Sequence, residues 1–307
     1  MNKKLTFLLA LTFLFLFSGS VFGQEEVKKE YYDSGELKIE SHYKDGKLDG
    51  LLTGWYESGE KQYEENYKDG KKDGLYIYWY KNGQKTTETN FKGGKVDGVS
   101  TSWHENGQKE RVVFFKNDMK NGPDNAWYDN GQKEYETHYK DHKNQDGLYT
   151  EYHSNGRKKL EQVYKDGKVE GLVKIWDEQG NKVEEILAKE HFIIRSILFY
   201  ENGRKKLRRH FKDGKENGLR TKWDQYGRKI YQGNFISQYM WIQTLDSTAD
   251  YRLYESKKDG TYVEWHSNGR KKTIRHYKNG KENGVRTEWD EDGKKIFQGN
   301  FVDGNEE

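Results

Sequence analysis

The chain has no cysteine, which excludes disulfides and a lipid-acceptor thiol and leaves sheet and packing to supply stability in an oxidising compartment. It has a single proline, so its connections are tight turns rather than proline-rich linkers. Hydrophobic residues make up only 32% of it, below the range of globular chains, and this excludes a thick conventional core. It also lacks a charge of one sign. The formal charge is +3 and falls to +1 without Lys3 and Lys4, so there is no basic footprint for nucleic acid. The charges alternate in sign instead, as on solvated strand faces that keep a long sheet soluble.

What is abundant is aromatic. The 23 Tyr, 14 Phe and 9 Trp favour strands and argue against disorder despite 34% charged residues. The first 23 residues stand apart, with a basic start, an apolar run from Leu5 to Phe17, and Val21 and Gly23 before an expected cleavage point. This reads as a signal peptide (1–23), too short for a comfortable span. The mature chain is then expected from Gln24, with export to periplasm, cell surface or medium.

The rest repeats. Taking the residue three before a recurrent turn glycine as a marker, Tyr32, Tyr56, Tyr80, His104, Tyr128, His153, Asp177, Tyr200, Asp224, His266 and Asp290 recur mostly at steps of 24. Trp precedes the marker at Trp55, Trp79, Trp103, Trp127, Trp176, Trp223, Trp265 and Trp289, leaving only Trp241 off register. A fixed period in this range signals a solenoid or array. The expected organisation is repeats over 24–185, an irregular apolar strand segment at 186–199, repeats over 200–235, an insertion at 236–260, and repeats with a tail over 261–307. Tyr200–Phe235 and His266–Phe301 are near copies, with 24 of 36 residues identical.

Within a unit, Lys61–Tyr67 and Leu75–Tyr80 read as strands, joined by "KDGKKDG" as a loop and followed by "KNG". Leu75, Ile77 and Trp79 share one face by period two, with a mostly polar face opposite. Tyr or Phe recurs eight residues after the turn glycine, at Tyr43, Tyr67, Phe91 and onward. A loop that puts these rings on the tryptophan face is favoured, because cross-strand ring pairs would account for both rows. The fold class is therefore all-β, an elongated antiparallel sheet or solenoid of tandem hairpins of about 24 residues.

The phrases "WYKNGQK" and "YKDGKKDG" resemble the MORN-repeat variant family, in the class that defines YwqK-type antitoxin components. The resemblance spans Tyr31–Phe235 and Thr261–Gly304. It implies an elongated sheet for protein or lipid contact and brings no shared catalytic residue.

No chemistry converges. The nine His are spread along the array, whereas zinc needs three or four ligands at one place. "DGKLDG" and "DGKENG" lack the alternating acids and closing Glu of a calcium loop. Glu64 and Glu65 form one of many acid pairs with no cleft to set them apart. No catalytic residue, metal site or cofactor is expected. The lysine two after each turn glycine, such as Lys61 and Lys85, reads as a strand-edge solubiliser, with contact to an anionic membrane surface the lesser reading. The expected function is an exported, non-enzymatic scaffold for a protein partner, with the eight register tryptophans as candidate binding face. Carbohydrate binding by the same aromatic row is one alternative. Antitoxin or immunity action, suggested by the family's name, is another.

Overall fold

The computed structural model describes residues 24–140, 147–190, 192–237 and 256–307. The signal-peptide reading and Trp241 lie outside them. Their regular structure is one sheet of 25 strands, every pairing antiparallel and between consecutive strands, except that Lys158–Lys165 also pairs with Gly171–Trp176 past the two-residue strand Lys168–Val169, and Lys271–Lys278 with Gly284–Trp289 past Lys281–Glu282. Each strand packs chiefly on the strands before and after it, so the array is a single layer.

Two turns alternate. At one edge Asp69 and Gly70 sit at φ 51° and 77°, the pair of left-handed residues that a two-residue hairpin of right-handed twist requires. At the other edge the Tyr80 N–H donates to the Gln84 carbonyl at 2.8 Å, and the Gly83 N–H donates back to the Tyr80 carbonyl at 3.0 Å. There the register slips by one residue, so that Tyr78 faces Thr87 while Trp79 faces Lys85.

"KDGKKDG" is not a loop. Only Asp69 and Gly70 turn, and the returning strand begins at Lys71 and runs to Trp79. Tyr67 pairs with Lys72 and Glu65 with Tyr76, so Asp73, Gly74 and Leu75 stand together against Asn66. Gly74 takes φ 111° in this bulge, and the Asn66 Nδ2 donates to the Leu75 carbonyl at 2.6 Å. The second glycine of the phrase therefore makes a bulge, not a turn.

This overturns the expected shared face. Lys72 lies on the face of Tyr67, and Trp79 is seven residues further on. Because seven is odd, the indole points to the other side. The bulge adds two residues and leaves that parity unchanged. The Tyr67-type rings and the tryptophans thus occupy opposite faces, called here the ring face and the Trp face.

The polar reading of the face opposite tryptophan is also corrected. Tyr67 and Tyr76 approach to 5.9 Å between ring centroids, and Tyr76 and Phe91 to 4.4 Å. Of the ten buried hydrophobic residues, Ile197 alone lies on the Trp face; Tyr76, Val113, Phe211, Phe235, Phe301 and the rest lie on the ring face. What core the sheet has is therefore on the side the tryptophans avoid.

Lys182–Lys189 and Phe192–Phe199 pair antiparallel as a hairpin. Its 23-residue step arises in the bulge, where Leu187 pairs with Arg195 and Ala188 with Ile193, one residue fewer than elsewhere and without glycine. Residues 238–255 leave from Ser237 and return at Ser256, which face each other in adjacent strands, so the sheet continues past them.

Candidate interaction faces

On the Trp face all eight register tryptophans are half-buried. The slip before each lysine has a chemical consequence. It brings Lys85 and Glu88, three apart, onto one face, whereas three residues apart in a regular strand point to opposite sides. The same pair forms between Lys61 and Glu64, between Lys133 and Glu136 at 2.7 Å, Lys158 and Glu161 at 2.6 Å, and Lys182 and Glu185 at 3.0 Å. Hydrogen bonds from Lys133 and then Tyr152 hold the Glu136 carboxyl below its ordinary range, and those from Lys158 and Lys174 do so for Glu161. Several of these lysines also lie over the indole of the next repeat. Lys85 is 5.7 Å from the Trp103 centroid and Lys229 5.3 Å from that of Trp265. The lysine row is thus part of a cation and indole pattern, beyond its role as solubiliser.

The ring face is sealed by its own charges. Lys72 stands 4.3 Å over Tyr76, Lys258 3.7 Å over Tyr262, Arg220 3.8 Å over Phe235 and Arg286 4.1 Å over Phe301. Each of the arginines is bound in turn by a buried glutamate, Arg220 by Glu216 and Arg286 by Glu282. The tightest cluster surrounds Asp124, which has no exposed surface. Arg111 donates to both its oxygens, at 2.8 and 2.6 Å, Lys120 donates at 2.9 Å and the Tyr135 hydroxyl at 3.2 Å. Burial alone would raise the Asp124 pKa, yet the Arg111 and Lys120 hydrogen bonds outweigh it and hold the carboxyl below its usual range. Exposed aliphatic and aromatic side chains of the strands gather on the other side: Leu51, Phe114, Leu148, Val163 and Val285 all point out of the Trp face, Leu148 being 51% exposed.

The marker row has a role the periodicity did not disclose. The Tyr56 hydroxyl donates to the Trp79 carbonyl at 2.7 Å, Tyr80 to Trp103 at 3.1 Å and Tyr200 to Trp223 at 2.9 Å. Where histidine replaces tyrosine, its Nε2 makes the same bond, from His104 to Trp127 at 2.8 Å, His153 to Trp176 at 3.0 Å and His266 to Trp289 at 2.8 Å. These bonds stitch each turn to the next. At Asp177, Asp224 and Asp290 the marker caps its own turn instead, as when the Asp224 carboxylate accepts from the Arg228 N–H at 2.9 Å. Asp177 precedes the strand in which Phe199 takes the tryptophan's place, Asp224 precedes the insertion, and Asp290 is the last marker. The restriction of this position to Tyr, His or Asp was the available sequence signal.

Asparagine of the turn supplies a second stitch, as Asn106 Nδ2 donates to the Asp129 carbonyl at 2.6 Å and its Oδ1 accepts from the Gln108 N–H at 2.9 Å. At the opposite edge Asp73 accepts from the Gly93 N–H at 2.9 Å and Asp259 from the Asn279 N–H at 3.0 Å. Of the acids in the calcium-like phrases, Asp45 accepts from the Gln24 N–H at 3.0 Å and Asp49 from the Asp69 N–H at 3.1 Å, while Glu216 holds Arg220. Of the remaining histidines, His42, His138, His210 and His276 stand along the Trp face in separate hairpins. Among the described residues no three metal-ligating side chains come together.

A one-layer array of near-identical hairpins, stitched at both edges and with two unlike faces, is a repeat scaffold. The sequence pattern of the MORN repeat variant matches residues 27–45, 48–69, 72–92, 96–117, 126–141, 145–166, 258–279 and 282–303, more than half of the chain. The chain belongs to that family. No curated protein matches it in sequence. Among solved structures, the crystal structure of TcdB2-TccC3-Cdc42 aligns at 10% identity over 90% of this chain and 16% of that one, with a TM-score of 0.20. That of TcdB2-TccC3 aligns at 11% identity over 91% of this chain and 19% of the other, with a TM-score of 0.18. This chain therefore spans under a fifth of either, and likeness of that degree carries nothing about its role.

Proposed function

We propose that this protein is an exported, non-enzymatic scaffold that holds a protein partner on its Trp face. One observation carries the reading: the outward apolar groups of the strands lie on that face, while the rings behind are covered by the chain's own cations. Exposed apolar surface rimmed by polar groups marks an interaction site. Rigid indoles add contact at little entropic cost. The Lys–Glu pairs between the indoles keep such a face soluble while it is free.

A photo-crosslinking residue placed at Leu51 or Leu148 in the chain from Gln24, and in a second set at Thr87 on the ring face, tests this in envelope extracts. The expected outcome is the same specific adduct from both Trp-face positions and none from Thr87. Adducts from Thr87 alone would refute it. Cell fractionation with N-terminal sequencing tests export; a cytoplasmic chain retaining Met1 would remove that part.

A further inference from the structure

Charge varies along the sheet. Residues 24–140 contain 19 Lys and Arg against 23 Asp and Glu, residues 192–237 contain 12 against 4, and residues 256–307 contain 11 against 10. The change lies in the row already described. Three residues after the lysine, Glu64, Glu88, Glu136, Glu161 and Glu185, interrupted once by Val112, give way to Arg208, Gln232, Ile274 and Gln298. Lys229 and Lys295 still have a side-chain partner there, but it is a neutral amide, at 3.1 and 2.7 Å. Lys205 has Arg208 in that place.

Arg208 differs from the arginines of the ring face. Arg111, Arg220 and Arg286 each hold a carboxylate. Arg208 has none in ion-pair reach among the described residues; its Nη2 makes one long bond of 3.4 Å to Thr221 and its buried Nε has no partner. Its guanidinium lies 5.7 Å from the Trp223 centroid, as Lys229 lies beside Trp265. In two successive hairpins, then, this face sets a cation without a carboxylate partner beside an indole, Arg208 at Trp223 and Lys229 at Trp265, and Lys271 and Lys295 continue the lysine row at about 10 Å per hairpin.

We propose that this third of the Trp face binds a linear anionic polysaccharide. A row of cations that recurs hairpin by hairpin matches a polymer whose acidic groups also recur at constant spacing. Half-exposed indoles offer stacking surfaces for the apolar faces of sugar rings, and exposed Asn234 and Gln298 on the same face offer hydrogen bonds to hydroxyls. A folded acidic protein would gather its contacts at one anchor, whereas these cations are spread along successive hairpins. The proposal stands apart from the protein-binding reading, and either can fail alone.

The test is binding of the chain from Gln24 to polygalacturonate, with dextran, poly-glutamate and single-stranded DNA in parallel. Polygalacturonate is expected to bind at low ionic strength and to weaken as salt rises, with dextran unbound. The triple variant Arg208→Gln, Lys229→Gln, Lys271→Gln is expected to lose about tenfold or more in affinity. The triple Lys61→Gln, Lys85→Gln, Lys133→Gln is expected to stay within about twofold. All of these are exposed or half-buried side chains, Arg208 with its Nε buried, and an unchanged far-UV spectrum verifies the fold. No binding at low salt, equal losses in the two triples, or tighter binding of poly-glutamate or DNA than of polygalacturonate would each overturn the proposal.

Discussion

Replacing Asp124 with Asn tests whether the ring face is held together by its charge clusters. The substitution keeps size and shape but removes the charge that Arg111 and Lys120 address at 2.6 to 2.9 Å. Breaking a buried pair by removing one partner costs about 3–5 kcal/mol when both ions are buried. Arg111 retains 38% of its side-chain exposure, so part of its charge can return to water, and we expect about 2–3 kcal/mol. Urea unfolding followed by tryptophan fluorescence measures it. Combining Asp124→Asn with Arg111→Met in a double-mutant cycle should give a coupling above about 1 kcal/mol. The pH dependence has a definite sign. The folded Asp124 pKa is lowered, so its contribution is present above the unfolded value of about 4 and is lost as pH falls through the folded one. The variant should therefore have a shallower acid-unfolding limb. A loss under about 0.5 kcal/mol, or a coupling of zero, would refute the reasoning.

The other predictions concern the stitches and the packed glycines. Tyr56→Phe should destabilise by about 1 kcal/mol through loss of the bond to the Trp79 carbonyl, while Tyr56→His should recover most of it, because His104, His153 and His266 make that bond elsewhere; thermal unfolding of both variants checks this. Gly54→Ala should lower stability by about 1–3 kcal/mol, because the new Cβ would stand 2.3 Å from the Tyr63 ring, and adding Tyr63→Ala should restore part of the loss. Burial, and for Tyr152 the Glu136 hydrogen bond, push the Tyr149 and Tyr152 phenols up to about 12. An ultraviolet alkaline titration should show them ionising after the exposed tyrosines, with their stabilisation intact below about 10 and lost as pH rises through the folded values.

The period, the antiparallel hairpins and the alignment of eight indoles were legible because a 24-residue cadence and period-two strands are written directly in residue types. The face of Tyr67 was not. "KDG" occurs twice in "YKDGKKDG", and nothing local says that the first copy turns and the second bulges; Asn66 closes its bulge through its side chain, yet Phe114 stands opposite an equivalent bulge. The broken register seen at Ile186–Phe199 in the sequence corresponds to a one-residue loss within the bulge of an otherwise paired hairpin. The stitching role of the markers was visible only as a restriction to Tyr, His or Asp. It required knowing that the next repeat's Trp carbonyl lies within reach. The charge change along the Trp face was readable throughout, but its meaning depends on the slip that places Lys85 and Glu88 side by side.

Hydroxyl-radical footprinting of the chain from Gln24, read by mass spectrometry, tests most directly that the two faces are unlike. The account predicts rapid modification at Leu51, Leu148 and Val285, intermediate rates along the tryptophan row, and protection of Tyr76, Phe211, Phe235 and Phe301. Protected tryptophans together with freely modified Tyr76 and Phe235 would contradict it.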